Sequence, residues 1–429
     1  MKVSLRSFIA FASFATATAV VQAQSTPPIV ALSAPTAKST DHFGTILNVR
    51  QLADGKLLVN DGQRRQLSIL DAQLGHRIVA IDSVAASGQS YGGTAAPIIP
   101  YLADSTLFVD RQSLSLLVID PLGNVVRVMA APKPADLRLL NNHLSGVDAK
   151  GNLIYQGGRY VQRNQATSAN KQVGTSYDSM ALVRANADTR RVDTIATVGV
   201  ATGMRVRYDI SNGKAITTTT SSPISTVDDW AVLSDGTVIV IRGHDYHVEW
   251  VAPNGEVGAG KKLPFDWKRL SDNDKQELLD SAKAARAKKA AERKPLSAER
   301  PPSYNLPGGG FATMVSLQAS NGAAVSYALV EEDVPLSEIP DYWPPIRLSA
   351  AKADLDNNVW ILPTTSAQSK NGELVYDVVN NRGEMTERVR VPAGRSIAGF
   401  GKNGVVYLMY RDDNGWVIEK TNVVREKLR

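Results

Sequence analysis

The chain is predicted to be all-β, built from repeated four-stranded sheets. Three features of its residues predict this. Short Val/Ile/Leu-rich or aromatic runs alternate with Asp/Asn/Gly turns from Phe43 to the C-terminus. The clearest stretch, Ile224 to Val257, reads as strand, turn, strand, loop, strand, turn, strand, with Ser234-Asp235-Gly236 and Pro253-Asn254-Gly255 as its turns. The same meander recurs at a spacing of roughly forty residues, which favours a propeller over a sandwich or a closed barrel.

Six such units can be traced. The first starts at Phe43-Gly44, with ILNVRQL, turn Asp54-Gly55, KLLVND and QLSILD. The second starts at Tyr91-Gly92, with IIPYLAD, TLFVD, LSLLVID and the turn Pro121 to Asn124. The third has HLSGVD, turn Lys150-Gly151-Asn152, LIYQG, a long polar loop and MALVRA. The fourth is the stretch from Ile224. The fifth has RLSAAKA, turn Asp356-Asn357-Asn358, VWILP and ELVYDVV. The sixth has IAGFG, turn Lys402-Asn403-Gly404, VVYLMY and WVIEKTNVV. No outer strand follows in this last unit. Ile29 to Ser33 is expected to supply one, which would join the two ends of the chain and cover an open edge.

Long connectors flank the fourth unit. Two hairpin-like pieces lie in them, around Asn212-Gly213 and Asn321-Gly322, and would make a seventh or eighth blade if either were degenerate. The connector over 264–341 also holds a helix near 272–293. Ser271 caps it, Asp274 sits where a capping box needs it, and Pro295 ends it. Its basic, Ala-rich second half reads as a solvated surface.

Composition narrows the class. Met1 to Ala23 has Lys2 and Arg6, an apolar run from Phe8 to Val21, and a Val21-Gln22-Ala23 end, as a secretory signal does. Residues 24–429 then form one domain, secreted or periplasmic. Cleavage removes two basic residues and no acid, so the net charge falls from +6 to +4, too little to specify an anionic partner. There is no cysteine, which excludes disulfides and thiolate catalysis. No later segment is long and apolar enough to span a membrane. A monomer is expected. Basic and aromatic residues do not interleave as nucleic-acid sites require, so nucleic acid is not an expected partner.

The run LADGKLLVND…LSILD, repeated as DNNVWILP…LVYDVVNNRG, resembles the six-bladed propellers of the TolB-like and NHL-type group. The resemblance covers nearly the whole mature chain and implies the fold. It says little of activity, because that group spans binding scaffolds, lactonases and lyases.

Strand order places the loops. Turns between first and second strands lie on one face of such a ring, with those between third and fourth. Loops between second and third strands share the other face with the inter-blade connectors. The long segments all fall on that second face: Gly157 to Ser179, Arg242 to His247, Thr364 to Gly372 and Leu263 to Pro345. Innermost strands also begin there. His42, Tyr91, His143, Asp228, Asp229 and Arg347 are therefore expected near the mouth of the central channel.

The sharpest polar cluster is Arg242-Gly243-His244-Asp245-Tyr246-His247. His244, Asp245 and His247 are candidate ligands for one divalent ion, provided the segment turns at Gly243. The plainer alternative is a polar surface loop with Tyr246 packed on the blade. The metal-dependent lactonases in the resembled group imply a cation held at the channel by Glu, Asn and Asp. Asn141, Asn142, Asp228 and Asp229 stand in range, but no Glu opens a first strand. Trp343, in Asp341 to Pro345, is expected to cover the channel mouth or stack on a ligand. G-x-S-x-G is absent, and the Gly-rich stretch Leu306 to Gly310 lacks the Lys-Ser/Thr of a P-loop. Two function classes remain. One is binding of a small molecule, peptide or protein through the loop-rich face. The other is a metal-dependent, lactonase-like hydrolase or lyase at the channel mouth.

Overall fold

In a computed structural model, the described residues are 26–425 except 85–89, 93–95, 111–112, 134–135, 137–139, 141–144, 167–172, 201–204, 212–213, 293–302, 307–309 and 319–323. Over 158–178, 201–221 and 289–332 the backbone alone is described. The proposed signal, Met1 to Ala23, lies outside these residues.

Six sheets form the six blades of a propeller. Blade one contains Ile46–Gln51, Leu57–Asp61, Gln66–Leu70 and Arg77–Ile81 in sequential antiparallel order. Blade two contains Ile98–Pro100, Thr106–Asp110, Ser115–Ile119 and Val125–Ala130. Blade four contains Asp229–Val232, Val238–Arg242, His247–Val251 and Val257–Ala259. The second and third strands are buried in every residue or nearly so in blades one and two. Central strands of a stacked sheet are covered on both faces, which is why these runs are continuously apolar rather than alternating.

Each neighbouring pair of blades shares an apolar cluster. Leu58 and Ile69 of blade one meet Ile98 and Leu107 of blade two, and Tyr155 and Ala181 of blade three close the same cluster. Trp230 and Val240 join blade four to Ile154 and Leu182 of blade three. Ile239 and Ile241 meet Val359 and Ile361 of blade five. Trp360 meets Phe400 and Leu408 of blade six. Tyr407 and Ile418 return to Val49 and Leu57 of blade one. The ring is thus closed by side-chain burial at all six joints.

Two expectations about strands are corrected. The outer strand of blade six is Ala37–Lys38, antiparallel to Gly415–Asn422. Ile29–Ala31 instead adds a parallel fifth strand to blade five, beside Met385–Val391. Ser33 still bonds to the last blade, its N–H donating to the Asn422 carbonyl at 2.8 Å. The chain ends are joined as expected, but by the segment four residues further on.

The long loop of blade three is also not a loop. Leu153–Ala166 and Val173–Ala185 pair along nearly their whole length. The two extra hairpins build on this projecting arm and form no further blade. Arg205–Ser211 pairs with Val173 to Ser176, and Lys214–Ser221 runs parallel to Ala324–Asp333. Gly310–Gln318 and Ser303–Leu306 complete a nine-stranded sheet. The turns Asn212-Gly213 and Asn321-Gly322 lie outside the described residues. Backbone pairing makes this polar segment strand, where side-chain composition alone read as loop.

The helix runs Asp272–Glu292, between blades four and five. Its capping box is formed: the Asp274 N–H donates to Ser271 Oγ at 3.2 Å, and the Ser271 N–H donates to Asp274 Oδ2 at 2.8 Å. Leu279 packs with Ile224, Leu270, Val334 and Ile339. Lys275 is buried and donates to Asp341 Oδ1 at 2.7 Å. None of the described helices is long and apolar enough to cross a membrane.

Candidate functional site

The innermost strands of all six blades surround a central cavity of about 710 Å³. Equivalent positions around it are fixed by one recurring turn bond. The N–H of Leu52, Tyr101, Asp148, Leu233, Asp354 and Gly401 each donates to the carbonyl four residues later. Two residues before these stand Arg50, Ile99, Gly146, Ala231, Lys352 and Gly399. Of these six equivalent positions two are cations and four are small or apolar, and all but Ile99 line the cavity.

The two cations differ in their surroundings. Arg50 donates to Asp104 Oδ1 at 2.8 Å, to the Asp104 carbonyl at 2.9 Å and to Thr106 Oγ1 at 2.5 Å. It ties blade one to blade two. Lys352 pairs through its backbone with Trp360 and lines the cavity, and its ammonium has no hydrogen-bond or ion-pair partner among the described residues. Burial pushes its pKa below the usual lysine value, and the charge of Asp229 opposes that shift.

Asp229 opens the inner strand of blade four and is 1% exposed. Its Oδ2 accepts the Ala351 N–H at 2.8 Å, so it holds the start of blade five's inner strand. Its Oδ1 is buried without a partner. Burial pushes its pKa up to about 7, against the Ala351 hydrogen bond and the Lys352 charge. Asp354 also lines the cavity, but its carboxylate is fully used. It accepts from the N–H groups of Asp356 and Asn358, from Asn358 Nδ2 and from Trp360 Nε1. Apolar wall is contributed by Leu47, Val49, Ile98, Val147, Val232 and Phe400.

The residues singled out in the sequence do not converge. Tyr91 is buried between blades, with its hydroxyl donating to Asn60 Oδ1 at 2.8 Å and its ring 4.7 Å from Phe108. Burial pushes its pKa up to about 12. His42 Nε2 meets Asp412 Oδ2 at 3.0 Å, bracing the N-terminal segment on blade six. Asp228 accepts the N–H of Gly199 and of Gly243, and pairs with Arg242 at 2.7 Å. Arg242 also donates to the Thr197 carbonyl and to Glu249, so these three residues join blades three and four. Trp343 packs against the helix cluster rather than over the channel, its N–H bonded to the Lys268 carbonyl. Its neighbour Tyr342 meets Trp267 edge-on at 6.3 Å. Arg347 is exposed in the connector before blade five. His143, Asn141 and Asn142 lie outside the described residues.

The Arg242 to His247 cluster is an ordinary blade turn. Arg242 pairs with His247 as Asp61 pairs with Gln66 and Asp110 with Ser115. The residue before the third strand is left-handed in all three, at φ 52° for Tyr246, 53° for Arg65 and 54° for Leu114. Tyr246 is fully buried and donates to Asp377 Oδ2 at 2.7 Å. Both nitrogens of His247 are engaged, Nδ1 with Asp245 at 2.6 Å and Nε2 with Glu249 at 3.3 Å. Asp245 is held below the usual carboxylate range: burial raises it, and His247 and Lys262 outweigh burial. His244 is exposed and apart from them. Among the described residues no three His, Asp or Glu side chains gather as a metal ion would need.

Fold and channel together define a six-bladed β-propeller. No protein-family model matches the chain, and neither does any curated protein. Solved structures similar to it include a streptogramin B lyase at 12% identity, covering 91% of this chain and 100% of that one, with a TM-score of 0.34. Others are the calcium-binding protein regucalcin of Agrobacterium tumefaciens, at 10% identity, 94% and 98% coverage and a TM-score of 0.35, and a luciferin-regenerating enzyme at 9% identity, 91% and 95% coverage and a TM-score of 0.35.

Arg50 and Lys352 lie inside their strands, whereas the channel candidates read from the sequence lie at strand starts. Aligning the six turns exposes them. VRQLADG and AAKADLDNN each place a cation two residues before the bonded turn position, where the other units have Ile, Ala or Gly.

Proposed function

We propose that this protein is a secreted or periplasmic binding propeller that takes a small molecule into its central channel. The supporting observation is the cavity itself. Its volume of about 710 Å³ falls within the usual range for small-molecule sites, roughly 300–1,000 Å³. Its wall is mostly apolar with a few polar groups, the mixture that gives affinity and orientation together. Hydrolase or lyase chemistry at the same mouth is the second class.

The test is a thermal-shift screen of residues 24–429 against small polar metabolites, repeated with Leu47→Trp. Leu47 lines the cavity and is 40% exposed there, so the larger ring narrows the channel without entering the blade core. Ligands that stabilise the wild type and fail on Leu47→Trp support the channel. Ligands that act equally on both proteins place binding elsewhere.

A further inference from the structure

We infer that the channel ligand is a small organic anion with an apolar body, its carboxylate or phosphoryl group seated on the Lys352 ammonium. This rests on the channel being the binding site and names the class of molecule it takes.

Three charged side chains line the cavity among the described residues, namely Arg50, Asp354 and Lys352. Arg50 is neutralised by Asp104. Asp354 has four donors on its two oxygens and is turned to its own blade. Lys352 alone lines the cavity with no hydrogen bond or ion pair among the described residues, although the charge of Asp229 reaches it. A half-buried ammonium at the cavity wall gives up part of its hydration with no hydrogen-bonding partner in return. An anion arriving from solvent restores the missing pairing in a space where charge-assisted hydrogen bonds are strong.

The neighbouring acid does not fill that role. Asp229 is not part of the cavity wall and makes no ion pair with Lys352. Its one bonded oxygen serves the Ala351 backbone. Small residues also line the cavity: Ala351 and Ala353 beside Lys352 on its strand, and Ala398 and Gly399 on the next blade's inner strand. They leave room for a ligand head group. Leu47, Val49, Ile98, Val147, Val232 and Phe400 supply apolar wall for the rest of the molecule. A single free cation fits one anionic group, and the apolar wall disfavours a highly charged ligand such as a polyphosphate.

The experiment is titration calorimetry of residues 24–429 with benzoate, phenyl phosphate and benzyl alcohol at matched ionic strength, on wild type and Lys352→Met. Wild type is expected to bind benzoate or phenyl phosphate saturably. The better of the two identifies the head group as carboxylate or phosphoryl. Lys352→Met should weaken that anion by about tenfold or more, as loss of a charged hydrogen bond does, and should change benzyl alcohol by less than about twofold. Thermal melts of the ligand-free proteins supply the second readout. Lys352→Met should melt within a few degrees of the wild-type temperature, because the ammonium makes no hydrogen bond or ion pair in the fold and acts on Asp229 only through its charge. Equal anion binding by the two proteins overturns the inference, as does a marked drop in the melting temperature of ligand-free Lys352→Met. Binding of benzyl alcohol without either anion also overturns it, while leaving the channel as the site. Binding of none of the three overturns it too, and the channel is then judged by the broader screen with Leu47→Trp.

Discussion

At the scale of single residues, Asp229 shows how a propeller holds its ring together at a cost. Its carboxylate fixes the first N–H of the next blade's inner strand, yet its second oxygen is buried and unbonded. An aspartate raised on folding destabilises only where the unfolded chain has already lost its proton. The penalty therefore begins near 3.8, grows through the acid range and is complete above about 7. Asp229→Asn keeps an acceptor for the Ala351 N–H and removes the charge. It is expected to be more stable than wild type near pH 8, by an amount on the order of 3 kcal/mol, with the difference gone near pH 4. Thermal melts across that range check this. A stability loss at pH 8 would mean that the charge itself holds the strand.

Among the elements, the turn from Arg242 to His247 is the clearest case of a motif that chemistry and structure read differently. Histidine, aspartate and histidine in four residues suggested a metal site. The same four-residue turn occurs in blades one, two and four, with Arg65, Leu114 and Tyr246 at its left-handed position. What distinguishes the blade-four copy is Tyr246, which reaches a buried carboxylate on blade five. Tyr246→Phe should cost about 1–3 kcal/mol, because Asp377 Oδ2 loses its donor while burial of the ring is kept. His244→Ala should change stability by less than about 0.5 kcal/mol, since the side chain is exposed. Denaturant unfolding of both variants measures the contrast. A larger loss in His244→Ala than in Tyr246→Phe would reverse the roles given to them here.

Other elements divide in the same way. The blades were legible because their turns are chemically marked and their strands are Val/Ile-rich. The capping box of Ser271 and Asp274 was legible because it is a local bond between two residues three apart. The closing strand was misassigned because Ile29 to Ser33 looks more like a strand than Ala37-Lys38 does. Which segment reaches the last blade depends on chain path, which composition does not encode. The projecting arm of blade three was read as loop for a related reason. Its strands are polar, and the sheet's pairing partners lie up to 112 residues apart in sequence, as Ala215 and Tyr327 do.

For the whole molecule, the channel is the feature that no single stretch displays. It is made at the inner edges of six separate blades, each contributing three to six residues to its wall. Sequence order located the starts of those strands and hence a ring of candidates at the mouth. Several of these candidates brace the fold: His42 on Asp412, Tyr91 on Asn60, Asp228 and Arg242 between blades three and four. Residues that brace neighbouring blades are polar and sit at strand starts, as binding residues would, so position alone does not separate the two. What separates them is whether their hydrogen bonds are already filled. By that test Lys352, whose ammonium has no hydrogen-bond or ion-pair partner among the described residues, differs from those joints.

The most direct measurement is a crystal of residues 24–429 soaked in para-iodobenzoate, with the iodine located by its anomalous signal. The account predicts iodine density inside the central channel and the carboxylate within hydrogen-bond distance of Lys352 Nζ. Iodine bound only outside the channel, or a channel that stays free of the probe at concentrations where calorimetry shows saturation, would contradict it.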